Sequence, residues 1–191
     1  TNSFSDGTSI LQVMNDCCND ETTWYAGSFP NNHIDFATPK YFDPDNYNVI
    51  TFQNVSDWSG YFYNGMVAYD NRNVCPNEWH VPSIDEWAQL ANYYTDNPQL
   101  FLTLKGPEYV LGTSYPYETN GSSGLNLQTF YSVNGNGDFD FEAGAAHWSS
   151  DVTSEGINIY TSIFKFQDVT PSYNQKITGL QYGHPIRCIK D

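Results

Sequence analysis

Positive charge is what this chain has least of. Seven Lys and Arg are set against 22 Asp and Glu in 191 residues, a formal net charge of −15. A phosphate backbone would be repelled by such a surface, so nucleic acid is excluded as a partner. An anionic membrane is disfavoured for the same reason. The balance suits a soluble extracellular protein, or one that gathers cations on clustered carboxylates. Long apolar runs are also missing, since none approaches the ~20 residues of a membrane-spanning helix. No signal-peptide pattern is visible and the chain opens on Thr1, which reads as a mature or excised piece. Strong helix formers are sparse beside the many Asn, Tyr, Thr, Ser, Gly and Pro, which favours a loop-rich fold with strands and very few helices.

Zinc patterns are absent too. Cys17, Cys18, Cys75 and Cys188 contain no Cys-x-x-Cys pair, and His33, His80, His147 and His184 are scattered. Four cysteines allow three full pairings. A Cys75–Cys188 bridge would close a loop of about a hundred residues, which on the chain-entropy model stabilises by about 4–5 kcal/mol. The neighbours Cys17 and Cys18 can bridge each other only with strain. They stand as a vicinal pair, free thiols or links to another chain.

What the chain has in abundance is aromatic residues, 17% of the total. The core therefore rests on Tyr, Phe and Trp more than on aliphatics. Residues 1–46 are polar and broken by turn signals such as Asp6-Gly7, Pro30-Asn31-Asn32 and Asp43-Pro44-Asp45, and read as an N-terminal arm or edge extension. Short strands are expected there at 10–14 and 23–26. From residue 47 the pattern is denser, with strands expected at 48–52 and 61–69. Pro82 forces Val81 into extended geometry. Ser83 then has N-cap character with Glu86 at the capping-box spacing. Ile84, Trp87, Leu90, Ala91 and Tyr94 follow at helical periodicity, which predicts a helix over 84–95. Asp96 or Asn97 before Pro98 predicts a second, short helix over 97–104. The stretch 106–144 reads as long loops with short strands, and three better strands are expected at 145–149, 157–167 and 186–189. In 157–167 one face is mostly aliphatic and the other mostly aromatic, as in a central strand covered on both sides.

The block Cys75-Pro76-Asn77-Glu78-Trp79-His80-Val81-Pro82-Ser83-Ile84-Asp85-Glu86-Trp87 follows a Tyr63-Asn64 pair. Leu104-Lys105, Thr119 to Gly124, Trp148-Ser149-Ser150 and Gly183 to Cys188 come after it. In these elements the chain resembles the Fibrobacter succinogenes major paralogous domain family over about 47–191. It departs from that pattern where Thr129-Phe130-Tyr131-Ser132 replaces a glycine-arginine element, and in a Tyr-rich loop at 108–118. The resemblance implies exported bacterial proteins, with relatives on phage structural proteins. It also implies a compact α+β domain similar to the C-type lectin fold: loop-rich, with short antiparallel strands and one or two helices. On that scaffold Cys75 and Cys188 are expected as a structural disulfide, with Trp79, His80, Trp87, Trp148 and Arg187 carrying the fold. The calcium-dependent sugar motifs of lectins are absent.

The acidic stretch 134–142 alternates oxygen-bearing side chains on a Gly-rich loop, so Asp138, Asp140 and Glu142 are candidate calcium ligands. The competing reading is a solvated hairpin with Phe139 and Phe141 turned inward. Catalysis has little support. Ser149 and Ser150 lack an elbow motif, and Asp85 and Glu86 are explained as first-turn helix charges. Tyr with Ser, Gly and Asn is the composition of recognition loops. Tyr109, Tyr115, Tyr117, Tyr173 and Tyr182 are accordingly the candidate ligand-facing residues. These readings lead to a non-enzymatic extracellular recognition or adhesion module whose partner is a protein or glycan on a cell surface. The alternative is a structural subunit of a filament, fibre or virion appendage, with residues 1–46 contacting further copies and Cys17 or Cys18 linking chains.

Overall fold

The computed structural model describes residues 1–13, 39–42, 61–95, 100, 104, 123–125, 127, 131–133, 139–141, 145–153, 158–165 and 172–191. Within them the protein is α+β, built from small, largely antiparallel sheets and few helices. The largest sheet begins with β1 (Leu11–Val13), parallel to β2 (Lys40–Phe42), which runs antiparallel to β3 (Phe62–Asn64). It continues antiparallel through β10 (Gly183–His184), β5 (Tyr131–Val133) and β6 (Phe139–Phe141). The middle of the chain and its last residues therefore meet in one sheet, where His184 pairs with Tyr63 and Gly183 with Asn64. A second meeting is the ribbon of β4 (Trp79–His80) and β11 (Ile189–Lys190), in which Ile189 lies opposite His80.

The third sheet has β8 (Asn158–Lys165) between β7 (Ala145–Val152) and β9 (Ser172–Gly179). As expected of a central strand, β8 is covered on both faces. Thr161 and Ile163 are buried on the side of Trp148. The other side of the sheet carries helix α2 (Ile84–Thr95), whose Trp87 ring lies 5.6 Å from that of His147. Two cores result. One gathers Phe4, Ile10, Tyr63, Val67, Cys75, Val81 and Trp148. The other gathers Trp87, Ala91, Leu104, Leu127 and Ala145 under α2. Residues 1–13 contribute to the first core through Phe4 and Ile10, and β1 ends the large sheet.

Three expectations change. The strand expected over 61–69 ends at Asn64 and gives way to helix α1 (Gly65–Tyr69), because the Gly65 N–H turns to the Leu180 carbonyl at 2.9 Å and the chain rolls Val67 and Ala68 into the core. Of the strand expected over 186–189 only Ile189 is in a strand, at the start of β11, while the chain before it pairs earlier, at β10. Between them the Pro185 carbonyl accepts the Trp148 N–H at 3.2 Å, and proline offers no ladder donor of its own. Residues 172–179, where no strand is expected, form a full strand. The expected strands at 23–26 and 48–52 lie outside the described residues. Of the expected helix 97–104, only Leu100, which is helical, and Leu104 are described.

Candidate functional site

The site is built on the start of α2. The Ser83 N–H and hydroxyl both donate to Glu86 Oε2 at 2.8 Å, and the Glu86 N–H returns a bond to Ser83 Oγ at 3.2 Å. This is the capping box that the sequence predicts. A second carboxylate joins it, since the Ile84 N–H donates to Asp151 Oδ2 on β7 at 2.5 Å. Satisfying these otherwise orphaned donors fixes where the helix begins and which way its faces point.

His80 clamps the cap from outside. Its Nε2 lies 3.0 Å from Glu86 Oε1 and its Nδ1 lies 2.6 Å from Asp191 Oδ1. The bond to Asp191 first, and then Glu86, raise the His80 pKa above the ordinary histidine value. Burial alone would push Glu86 up, but Ser83 and His80 together hold its carboxyl below the ordinary value. The loop that delivers β4 is turned by two residues of positive φ, Asn73 at 54° and Glu78 at 64°. Asn73 suits that conformation and ties the loop with its side chain, donating to the Trp79 carbonyl at 2.7 Å and accepting from the Cys75 N–H at 3.0 Å.

On the flank of this start lies a pocket of about 460 Å³. Glu86, Gln89 and Leu90, spaced i, i+3 and i+4, give it one helical wall, and Pro82 and Trp87 extend that wall. Leu125, with Arg187 and Ile189 of the returning chain, completes the lining. Its volume falls within the ordinary range for ligand pockets, and so does its make-up, an apolar lining with few polar groups. Trp87 is held in place by its indole N–H, which donates to the Trp148 carbonyl at 3.2 Å. Arg187 is half-buried, and burial lowers its pKa. The returning chain is tied to the segment before β4 by the disulfide Cys75–Cys188, across a sequence separation of 113.

Behind the pocket, His147 and His184 are both buried. Burial pushes each down to about 3, with nearby Arg187 adding to the effect at His147 and Lys176 and His147 adding to it at His184. Ser149 is buried and donates to the Tyr160 carbonyl at 2.9 Å, a backbone tie within the sheet.

A family model described as Fibrobacter succinogenes major domain (Fib_succ_major) matches residues 1–190. The chain belongs to that bacterial family. No curated protein and no solved structure matches it significantly. Within this Fib_succ_major domain Trp87 and Arg187, expected as scaffold, and Pro82 and Glu86, expected to start the helix, converge on the pocket wall. Cys75 and Cys188 are bonded as expected, and Trp148 is fully buried. Trp79 is 39% exposed, because β4 and β11 form a peripheral ribbon.

The candidate ligand-facing Tyr173 and Tyr182 are half-buried, Tyr173 against the core under α2 and Tyr182 against the other. Tyr109, Tyr115, Tyr117, Asp138, Glu142, Cys17 and Cys18 lie outside the described residues. Asp140 lies in β6, its backbone opposite Ser132. Among the described residues no group of three His, Cys, Asp or Glu is placed to hold a metal, and no helix is long and apolar enough to cross a membrane. Sequence reasoning missed Gln89, Leu90, Leu125 and Ile189. Polar Gln89 beside apolar Leu90, one turn after the cap, was the available signal for the first two.

Proposed function

We propose that this Fib_succ_major domain is a non-enzymatic extracellular recognition module on a C-type-lectin-like scaffold. Its partner is a protein on a cell surface, which it holds at the pocket between α2 and the returning chain. The observation that carries this reading is the convergence of both motif ends on one apolar-lined pocket. The lining favours protein over glycan, because sugars are held by hydroxyl-matching polar groups and exposed aromatic faces. Here Trp87 is buried, and the one exposed tryptophan among the described residues, Trp79, stands elsewhere on the ribbon. The interchain-arm reading is weakened by Phe4 and Ile10, which are spent on the chain's own core. A stable disulfide supports an oxidising, extracellular setting.

A peptide array probed with the labelled domain tests the reading. Gln89 is an exposed lining position, so Gln89→Trp adds a ring at the pocket without replacing a core residue. Tyr93→Trp, on the same helix at a position 72% exposed, is the control. The reading expects binding that Gln89→Trp abolishes and Tyr93→Trp preserves. Binding indifferent to Gln89→Trp would place recognition elsewhere.

A further inference from the structure

We propose that β9 is a dimer edge, at which the β9 strands of two copies pair antiparallel about a two-fold axis at Gln175. The inference does not depend on what the pocket binds. β9 pairs with β8 along one edge, in unbroken register over all eight of its residues. Among the described residues no strand pairs with its other edge. Edge strands are ordinarily guarded by shortness, proline, bulges or charge. β9 is long, holds neither proline nor bulge, and carries a single charge, Lys176. Asn174, Gln175, Lys176 and Ile177 are exposed in succession, so neither face of the strand's middle is covered. Ile177, an apolar residue, is 55% exposed.

A second copy is the occupant that charge and register favour. At −15 the chain as a whole repels its own kind. β8 and β9 run against that balance, since Asn158–Lys165 and Ser172–Gly179 contain Lys165 and Lys176 and no Asp or Glu. The strand also matches itself. A two-fold axis normal to the sheet keeps each face on its own side, so one residue must lie opposite its own counterpart. With Gln175 there, pairing runs over 172–178, seven of the eight residues. Ile177 then faces Tyr173 of the second copy, an aliphatic–aromatic cross-strand pair, and Tyr173 already packs on the core under α2. Lys176 falls opposite the neutral Asn174. Placing the axis at Lys176 also keeps seven pairs but sets lysine against lysine. Placing it at Asn174 or Ile177 leaves five.

Sedimentation equilibrium of the intact, disulfide-bonded domain from micromolar to millimolar concentration tests the proposal, and cross-linking reads the register. The native domain is expected to form a reversible dimer. Ile177→Lys should weaken it at least about tenfold, because each copy loses an apolar contact and gains a like charge. Under mild oxidant Gln175→Cys should link to its own counterpart, with residue 175 of both chains found in one cross-linked peptide. Asn174→Cys, whose counterpart lies further along the strand, should not link in this way. All three positions are exposed, so the variants leave both cores intact. A domain that stays monomeric throughout would overturn the proposal. So would a monomer whose β9 amides are protected from exchange by an array-positive peptide, since the occupant would then be a peptide. A dimer indifferent to Ile177→Lys and unlinked at residue 175 would place the interface elsewhere and overturn it too.

Discussion

The indole N–H of Trp87 donates to the backbone carbonyl of Trp148 across 3.2 Å, so the two cores share a hydrogen bond between their tryptophans. Trp148 passes the connection on. Its own indole N–H donates to the Tyr63 carbonyl at 2.6 Å, and its ring meets His184 edge-on at 4.7 Å. The floor of the pocket is therefore tied to the large sheet through one fully buried residue.

Trp148→Phe removes that link. The Tyr63 carbonyl loses its indole donor and a cavity opens where the larger ring stood. Together these should lower stability by about 3 kcal/mol. Denaturant unfolding with an unchanged slope checks this, since a changed slope would indicate an altered unfolded or native state.

The disulfide should be a large single contributor. Replacing Cys75 and Cys188 by Ser releases a loop spanning a sequence separation of 113. The expected loss is about 4–5 kcal/mol on the chain-entropy model. Thermal melting with and without reductant reads the effect, and the reduced native protein should match the double variant.

Acid should destabilise the domain through His147 and His184. Both are depressed to about 3 in the folded protein, so the unfolded chain takes up their protons first. Their stabilising effect is present above the ordinary histidine value, about 6.5, and is lost as pH falls toward 3, by up to ~5 kcal/mol for each. His184→Phe, which keeps an aromatic ring beside Trp148, should flatten this acid limb in a series of melts across pH. His80 works in the opposite sense. Its raised pKa gives stability that is present below the ordinary value and lost as pH rises through the raised one. With a side chain 38% exposed, its share is small.

The start of α2 offers a test of local reasoning. Ser83→Ala removes the hydroxyl that serves the Glu86 N–H, and should lower stability by about 1 kcal/mol. Glu86→Ala should lower it further, because Ser83 and His80 both lose their partner. Unfolding curves of the two variants and the double variant would show the coupling directly.

Much of this helix was legible in the sequence, because the punctuation of Pro82, Ser83 and Glu86 and the periodicity of Ile84 to Tyr94 are local signals. β8 was legible for the same reason, the alternation of aliphatic and aromatic residues over 157–167 being a local signal. β9 was not. It ends its sheet, and Asn174, Gln175, Lys176 and Ile177 are exposed one after another, so no alternation marks it as a strand. The break at Asn64–Gly65 was equally hidden. Aromatic residues run through 61–69, and the turn into α1 is set by a bond to Leu180 from far along the chain. The pocket was hidden most of all. Glu86 and Trp87 have sufficient local roles in cap and core, and only the return of Arg187 and Ile189 makes them a wall.

Fluorine NMR of the domain labelled with fluorotryptophan tests the recognition pocket most directly. Trp24, Trp58, Trp79, Trp87 and Trp148 give five reporters, assigned by single replacement with Phe. On titration with an array-positive peptide, the account predicts a saturable shift of the Trp87 resonance while that of Trp79 stays in place. A peptide that binds and moves Trp79, Trp24 or Trp58 while leaving Trp87 unmoved would contradict it.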